Sequence, residues 1–535
     1  MRHIARLSTL VAAIALLVGF ETMAAPIARP MNAARSDAAR VDVEELSLAD
    51  AQARLASGDL SSHALTQAYL DRIATVDRAG PKLNAVIELN PDALSEADAL
   101  DAERKAGKIR GPLHGIPVLI KDNIDVVGMV NSAGSLALAD NRPKHDAFLV
   151  QRMRAAGVVI LGKTNLSEWA NFRSTHALSG WSSRGGQTRN PYVLDRDPCG
   201  SSAGTGAGIS ASLAMIGVGT ETDGSIICPS SQNGIVGLKP TVGLISRSGI
   251  IPISISQDTA GPMGRGVADV AALLNVLAGT DESDPSGHAS AGHIPKDYTA
   301  YLKADALKGK RFGVLRQSMG NLPVVDAAVE RSIATLKAAG AEVVDVKLDT
   351  WGKWDAVELD LMLYEFKDGL NAYLKNSGAT QTSLADLISW DKQHAKEAMP
   401  LFDQELFEQA QAKGPLTDAV YLRERDDARR MAGKEGLIHT LDANHLDAII
   451  APAEGPAWPI DPVLGDHDIG SGYGVAAVAG TPSITVPMGD ARGLPMGLVF
   501  MGSAWSEGPL LGYAYAFEQA THARRKPEYK STIGE

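Results

Sequence analysis

Cysteine, aromatic side chains and long apolar runs are scarce in this sequence. Its 535 residues include two cysteines, and aromatic residues make up 5% of the chain. Two cysteines without a histidine-rich cluster argue against a structural metal site. No apolar run after residue 24 is long enough to predict a transmembrane helix. The sequence therefore indicates neither a small metal-stabilised fold nor an integral membrane protein.

Basic clusters are also missing. The formal net charge is −12, and the one basic run, Arg524 to Lys526, lies near the C-terminus and is expected to be solvated. Because nucleic-acid binding requires a basic face, nucleic acid is not an expected partner. The remaining composition, 45% hydrophobic and 21% charged, is ordinary for a globular enzyme.

The N-terminus has the pattern of a secretory signal peptide over residues 1–24. A basic start is followed by an apolar run from Leu7 to Phe20 and by small residues at a cleavage site. We expect an exported protein, periplasmic or secreted, with no membrane contact after cleavage. The predicted organisation continues with a flexible lead-in (25–40), a single domain (41–525) and a C-terminal tail (526–535).

The two cysteines flank a segment that is rich in glycine and serine. Cys199 lies two residues before Ser201, and Cys228 lies three residues after Ser225. An oxidising compartment permits a disulfide between them if the two serines meet. The alternative is two buried thiols that act as small hydrophobic side chains.

Short apolar segments alternate with helical patterns along the chain. Such alternation is typical of a sheet covered by helices, and it predicts an α/β fold with a large mixed, mostly parallel β-sheet and helices on both faces. Residues from about 285 to 440 are expected to be mainly helical. The clearest predicted strands are residues 117–120, 158–161, 215–219, 448–452, 482–487 and 496–501.

Several chemistries can be weighed for the segment from Cys199 to Pro240. The glycine spacing fits neither a dinucleotide loop nor a phosphate loop of the G-x-x-x-x-G-K-[ST] type. Ser225 lacks the outer glycines of a G-x-S-x-G elbow, and His114 is predicted to stabilise a turn. A serine nucleophile with a lysine base fits the residues better. Lys121 follows a buried strand, where burial would lower its pKa, although a carboxylate partner such as Asp122 is the alternative.

Ordered motifs give the chain a resemblance to the amidase signature family from about residue 45 to 520. Each motif alone is modest, but the ordered set is specific. The motifs are Gly111–Asn123 (GPLHGIPVLIKDN), Gly162–Asn165 (GKTN), Cys199–Gly204 (CGSSAG), Gly219–Ser225 (GTETDGS), Gly237–Thr241 (GLKPT), Ala479–Pro482 (AGTP) and Gly493–Leu498 (GLPMGL).

The resemblance implies a Ser-cisSer-Lys triad. Ser225 would be the nucleophile, and Ser201, after a cis peptide bond from Gly200, would relay a proton to neutral Lys121. Ser202 would support this loop. The resemblance further implies an oxyanion hole made by backbone N–H groups, and it implies no metal or cofactor. The expected oxyanion-hole residues are Thr222, Asp223, Gly224 and Ser225.

Within the family the chain is most similar to the bacterial peptide-amidase branch, notably in Lys163–Arg173 (KTNLSEWANFR) and Thr220–Pro229 (TETDGSIICP). That branch removes the C-terminal carboxamide of peptides as ammonia. The expected substrate is therefore a peptide amide, taken by a monomer or, alternatively, a dimer. The same triad acting on small aliphatic or aryl amides is an alternative, and a non-catalytic periplasmic binding protein is another. Asp223 and Ile227 depart from the family's usual glycine and arginine, which leaves open how this loop is held.

Overall fold

The structure is a computed structural model that describes residues 41–534. The predicted signal peptide and lead-in, residues 1–24 and 25–40, lie outside the described residues. Val41–Glu535 group into one compact unit. None of the helices in the described range is long and apolar enough to cross a membrane.

Strands and helices alternate through most of the unit. The strands are β1 (Val86–Leu89), β2 (Pro117–Lys121), β3 (Val159–Thr164), β4 (Trp181–Ser182), β5 (Gly186–Gln187), β6 (Ile216–Glu221), β7 (Val236–Lys239), β8 (Thr259–Gly264), β9 (Arg311–Leu315), β10 (Glu342–Val346), β11 (Ala448–Pro452), β12 (Ser483–Ala491) and β13 (Leu494–Met501). The α-helices are α1 (Leu48–Ser57), α2 (Ser62–Arg72), α3 (Ala93–Lys105), α4 (Phe148–Ala155), α5 (Ala203–Ser210), α6 (Ile227–Gln232), α7 (Val267–Leu277), α8 (Pro323–Ala338), α9 (Asp355–Asn376), α10 (Leu384–Gln393), α11 (Ala395–Ala398), α12 (Glu405–Gln411), α13 (Ala419–Arg429), α14 (Ile438–Ala443), α15 (Gly474–Val478) and α16 (Glu507–Thr521).

One large mixed sheet organises the molecule, in the order β1-β3-β2-β6-β8-β7-β12-β13-β11-β9-β10. Pairing is parallel in β3-β2-β6 and again in β11-β9-β10. The strands between these two groups pair antiparallel, as does the edge strand β1. Antiparallel pairing needs only a short connection, such as the tight turn from β12 to β13. The predicted large mixed sheet with helices is confirmed, and its parallel pairing is confined to the two groups.

Helices cover both faces of the sheet. Because side chains alternate along a strand, Ile450 and Phe500 enter one core while Ile449 and Met501 enter another. The first core includes residues of α7, α8 and α16, and the second includes residues of α6, α13 and α15. The α/β layering expected from the sequence is therefore found on both sides.

The section from about 285 to 440 is not only helical. Its strands β9 and β10 extend the main sheet, where they run parallel to β11. β10 lies at the sheet edge and is half-exposed, although valine occupies three of its five positions. The expected long helix is present as α9, Asp355–Asn376.

The C-terminal segment, expected as a solvated tail over 526–535, is partly attached to the domain. The Tyr529 and Lys530 N–H groups donate to the carbonyls of Pro191 and Tyr192, at 3.0 and 3.2 Å. Arg524 pairs with Glu45, whereas Arg525 keeps a mostly exposed side chain. Backbone hydrogen bonds therefore attach residues 529 and 530 of the predicted tail to the domain, and such pairing leaves no mark in composition.

Candidate active site

Glycines allow the helix after the cis-serine loop to lie directly on the sheet. The first peptide bond of that loop, Gly200–Ser201, is cis, as the family resemblance implied. In α5, a Cβ atom on Gly204 would lie 2.2 Å from the Ala85 carbonyl oxygen and 2.5 Å from that of Asn165. A side chain at this position would therefore push α5, and the serine loop before it, away from β1 and β3, the strands next to these two carbonyls.

Lys121 and Ser201 are in contact at the core of the molecule. Lys121 is the last residue of β2, and its Nζ lies 2.7 Å from Ser201 Oγ and 3.2 Å from the Thr220 carbonyl oxygen. Both Lys121 and Ser201 are fully buried. The contact joins residues that are far apart in sequence, and it gives the lysine a hydroxyl partner rather than a carboxylate.

Burial sets the protonation of this lysine. Removal from water disfavours the ammonium form and lowers the pKa of Lys121 to about 7, while the negative charges of Glu221 and Asp258 act in the opposite direction. A substantial fraction of Lys121 is then neutral at neutral pH. A neutral amine has the lone pair that a general base requires.

The carboxylate alternatives for Lys121 have other partners. Asp122 pairs with Lys163 and Arg184, each at 3.2 Å.

His114, predicted to stabilise a turn, has its Nε2 3.0 Å from the Leu100 carbonyl oxygen, and its Nδ1 accepts from the Arg110 N–H. The histidine prediction is confirmed.

Backbone and side-chain bonds hold the two serine segments together. The Ser202 N–H donates to the Ser225 carbonyl at 3.2 Å, and the Ser202 hydroxyl donates to the Thr220 carbonyl at 3.0 Å. Ser225 follows β6 and retains 8% of its exposure, whereas Ser201 retains none. Of the two serines, Ser225 therefore keeps the more exposed surface.

Glu221 fastens the segment that follows β6. Its carboxylate accepts hydrogen bonds from the N–H groups of Ile226 and Ile227, at 2.7 and 3.0 Å. Burial raises the pKa of this carboxyl group, and Lys239 and the N–H groups of Ile227, Ile226 and Gly224 oppose that rise. The four residues expected to form an oxyanion hole, 222–225, all belong to the segment that Glu221 holds.

Asp258 and Tyr473 fix the positions of Thr222 and Gly224, respectively. The Thr222 hydroxyl donates to Asp258 Oδ1 at 2.6 Å. Gly224 adopts a left-handed φ of +77°, and a Cβ atom there would lie 2.3 Å from the ring of Tyr473. The turn before Ser225 can therefore form only with glycine at this place.

A disulfide joins Cys199 to Cys228, which decides between the two alternatives left open by the sequence. It connects the segment before Ser201 to the helix α6 after Ser225. The sulfurs pack against Trp458 and Tyr473. This bond fixes the two serine segments relative to each other.

Replacement of both cysteines by serine is expected to lower the free energy of unfolding by about 3 kcal/mol, because the bond closes a loop of 29 residues. Urea unfolding of the wild type and of the double variant, each with and without dithiothreitol, measures the difference. The reductant should destabilise the wild type and leave the double variant unchanged. Equal unfolding midpoints for all four samples would contradict the prediction.

A cavity of 320 Å³ leads to this site. Most of its surface is apolar, and its polar lining includes Ser201, Thr220 and Thr222 together with the charged residues Glu221, Arg247, Asp258, Asp284 and Glu365. The apolar wall includes Ala170, Ile250, Ile251, Pro252, Ile253, Ile255, Pro285, Gly369 and Ala372. Such a space suits an apolar group attached to a polar reacting centre.

Within residues 41–534, no group of three or more His, Cys, Asp or Glu side chains is placed to hold a metal ion.

The family model described as Amidase matches residues 64–511, which is most of the chain. The chain belongs to the amidase family. A peptide amidase in complex with the competitive inhibitor chymostatin is 55% identical, with a TM-score of 0.89 and coverage of 90% of this chain and 99% of that chain. The native peptide amidase from Stenotrophomonas maltophilia is 55% identical, with a TM-score of 0.87 and coverage of 91% and 99%. A probable amidase of Arabidopsis thaliana is 38% identical over 502 residues, which cover 91% of this chain and 92% of that protein.

This amidase is therefore a hydrolase of the amidase signature fold. Sequence reasoning missed the side chains that hold the loop before Ser225. Glu221 lies inside a recognised motif, and its position at a strand end, four residues before the predicted nucleophile Ser225, was the available signal. Gln257, Asp258 and Glu358 lie outside the quoted motifs, and no local pattern marks them.

Proposed function

We propose that this amidase hydrolyses the C-terminal carboxamide of peptides to the free acid and ammonia through a Ser225–Ser201–Lys121 triad. The observation that carries the proposal is the buried contact of 2.7 Å between Lys121 Nζ and Ser201 Oγ. A lysine with a pKa of about 7 and a hydroxyl partner is suited to accept a proton at neutral pH.

In the proposed reaction, Ser225 Oγ attacks the amide carbonyl carbon. Its proton passes to Ser201 Oγ while the Ser201 proton passes to Lys121 Nζ. The carbonyl oxygen becomes an oxyanion that the N–H groups of the 222–225 segment stabilise. The proton then returns through Ser201 to the leaving nitrogen, the C–N bond breaks, and ammonia departs. Water, activated by the same relay, hydrolyses the acyl-enzyme and releases the acid.

The cavity and the relatives both support a peptide amide as the substrate. The apolar walls suit the side chain of the residue that bears the amide, and two similar solved structures are named as peptide amidases. A small aryl amide is the second candidate, because a volume of 320 Å³ would also hold an aromatic ring. The intact buried contact between Lys121 and Ser201 argues against a protein that only binds.

The decisive experiment supplies the purified protein with an N-blocked dipeptide amide and follows ammonia and product mass. One ammonia for each free acid formed is expected. A matched dipeptide anilide tests the aryl-amide alternative, and an internal peptide bond in a longer amide tests for endopeptidase activity. Faster anilide hydrolysis would favour the second candidate, and absence of ammonia or internal cleavage would refute the proposal.

Filling the cavity should discriminate between substrates by size. Ala372→Phe is expected to raise KM about 5- to 30-fold for amides of bulky apolar residues, because contacts of this size contribute about 1–2 kcal/mol. Amides of glycine should be affected less. Ala356→Phe, a matched change at an exposed position of the same helix that does not line the cavity, is the control. An equal effect on both substrates would show that the acyl side chain lies elsewhere.

We also propose that the protein acts outside the cytoplasm. The sequence pattern of residues 1–24 and the disulfide between Cys199 and Cys228 support export, because disulfides persist in oxidising compartments. Expression of the full chain in a Gram-negative host, followed by fractionation and N-terminal sequencing, tests this. A mature N-terminus close to residue 25 in the periplasm or medium is expected, and an uncleaved cytoplasmic protein would refute it.

A further inference from the structure

Two carboxyl groups meet behind the segment that precedes Ser225. Asp223 and Glu358, from helix α9, form a hydrogen bond between their side chains. Glu358 is buried, and Asp223 Oδ1 is buried without a hydrogen-bond donor among the residues described. Two carboxylates in contact cannot both remain ionised at low cost, so the pair must share a proton.

Glu358 is held in place by an amide that also touches the serine segment. Gln257 Nε2 donates to Glu358 Oε1 at 2.7 Å and to the Thr222 carbonyl oxygen at 3.4 Å. The next residue, Asp258, accepts the Thr222 hydroxyl. Residues 222 and 223 are therefore attached to two separate parts of the fold, the 257–258 segment and α9.

The charges around the pair favour retention of its proton. Burial and the negative charges of Glu358 and Glu221 raise the pKa of Asp223 well above its ordinary value, and Lys239 opposes them. Burial, together with the charge of Asp355, raises the pKa of Glu358 to about 7. Tyr473, the remaining titratable group beside Asp223, has its own pKa raised by burial and is neutral in this range.

We propose that the Asp223–Glu358 pair, with one shared proton, positions the backbone N–H groups of residues 222–225 against the reacting carbonyl. The inference rests on the proposed function. Loss of the shared proton places two negative charges in contact. Repulsion then separates the segment from α9, and the added charge opposes the developing oxyanion. We therefore expect activity to fall at alkaline pH, where the pair loses this proton.

Substitution of Glu358 by glutamine distinguishes a role in positioning the 222–225 segment from a role in packing alone. In Glu358→Gln, the new amide N–H donates to the Asp223 carboxylate, which reproduces the charge and the hydrogen bond of the shared-proton pair but has no proton to lose. Glu358→Ala removes the partner altogether. Asp368→Asn is the matched control, because Asp368 is exposed on the same helix and lines no part of the cavity.

The experiment measures kcat and KM from pH 6 to 10 for the wild type and the three variants, with an N-blocked dipeptide amide. We expect Glu358→Ala to lose about 100-fold in kcat with little change in KM, which is the lower end of the loss caused by removal of one oxyanion donor. Glu358→Gln should retain kcat within about threefold at pH 7, and its alkaline limb should disappear. Asp368→Asn should follow the wild type throughout.

A second readout keeps this test independent of the substrate. The rate at which a fluorophosphonate labels Ser225, followed by the mass of the intact protein, should show the same pattern among the variants. Labelling without ammonia release in the wild type would refute the proposed substrate while leaving the pair testable. Wild-type kcat in Glu358→Ala, or an alkaline limb in Glu358→Gln that matches the wild type in both assays, would overturn the pair's role.

Discussion

Ser225→Ala should lower kcat for a peptide amide by at least about 10⁴-fold, because it removes the atom that forms the acyl-enzyme. Substrate binding should change little, since the serine hydroxyl contributes few contacts to the acyl group. Ammonia release under saturating substrate measures the loss.

A second serine of the same region provides the control for this variant. Ser230 lies on α6, and its buried hydroxyl has no partner among the described residues. Ser230→Ala removes the same atom five residues further along the chain and should retain most of the activity. If Ser225→Ala kept more than about 1% of the wild-type rate, the nucleophile would have to be sought elsewhere.

The three residues of the proposed triad, Lys121, Ser201 and Ser225, could be named from the sequence because each lies in a contiguous motif. Strand β2, which ends at Lys121, and strand β6, which precedes Ser225, are apolar enough to be predicted. What the motifs could not give is the distance between the groups. That distance depends on α5 lying directly on the sheet, which is a property of the packed fold.

The support of the site shows where sequence reasoning ends. Asp223 was recognised as a departure from the family pattern, but its partner Glu358 lies on a helix whose contacts the sequence could not assign. Strand β10 was missed although three of its five residues are valine, because so short an apolar segment does not by itself distinguish a strand from part of a helix. The fold brings together pairs of residues that are far apart in the sequence, and the residues next to each partner give no sign of the pairing. The disulfide was an intermediate case, since its formation depended on whether two recognised motifs meet.

Lys121→Met should lower kcat/KM by at least about 10³-fold, because methionine fills a similar volume and cannot accept a proton. The wild type should show kcat/KM that rises with pH up to about 7, where Lys121 loses its proton, and that falls about tenfold per pH unit below it. Lys121→Arg is the informative companion, because arginine keeps the donors but stays charged. It should be inactive across the whole range.

Burial of Lys121 should also lower the stability of the folded protein, and this effect gives an independent test of its role as a neutral base. A buried lysine whose pKa falls from 10.5 to about 7 binds fewer protons in the folded than in the unfolded state between those values. Stability should therefore rise with pH over this window, and the penalty should be full below about pH 7. Lys121→Met removes the penalty, so its Tm should exceed that of the wild type most clearly at pH 6 and least at pH 10. An inactive variant that is more stable at pH 6 is expected where a buried base is kept for catalysis. A Tm difference that does not change with pH, or a flat rate profile from pH 5 to 8 in the wild type, would contradict a neutral Lys121 base.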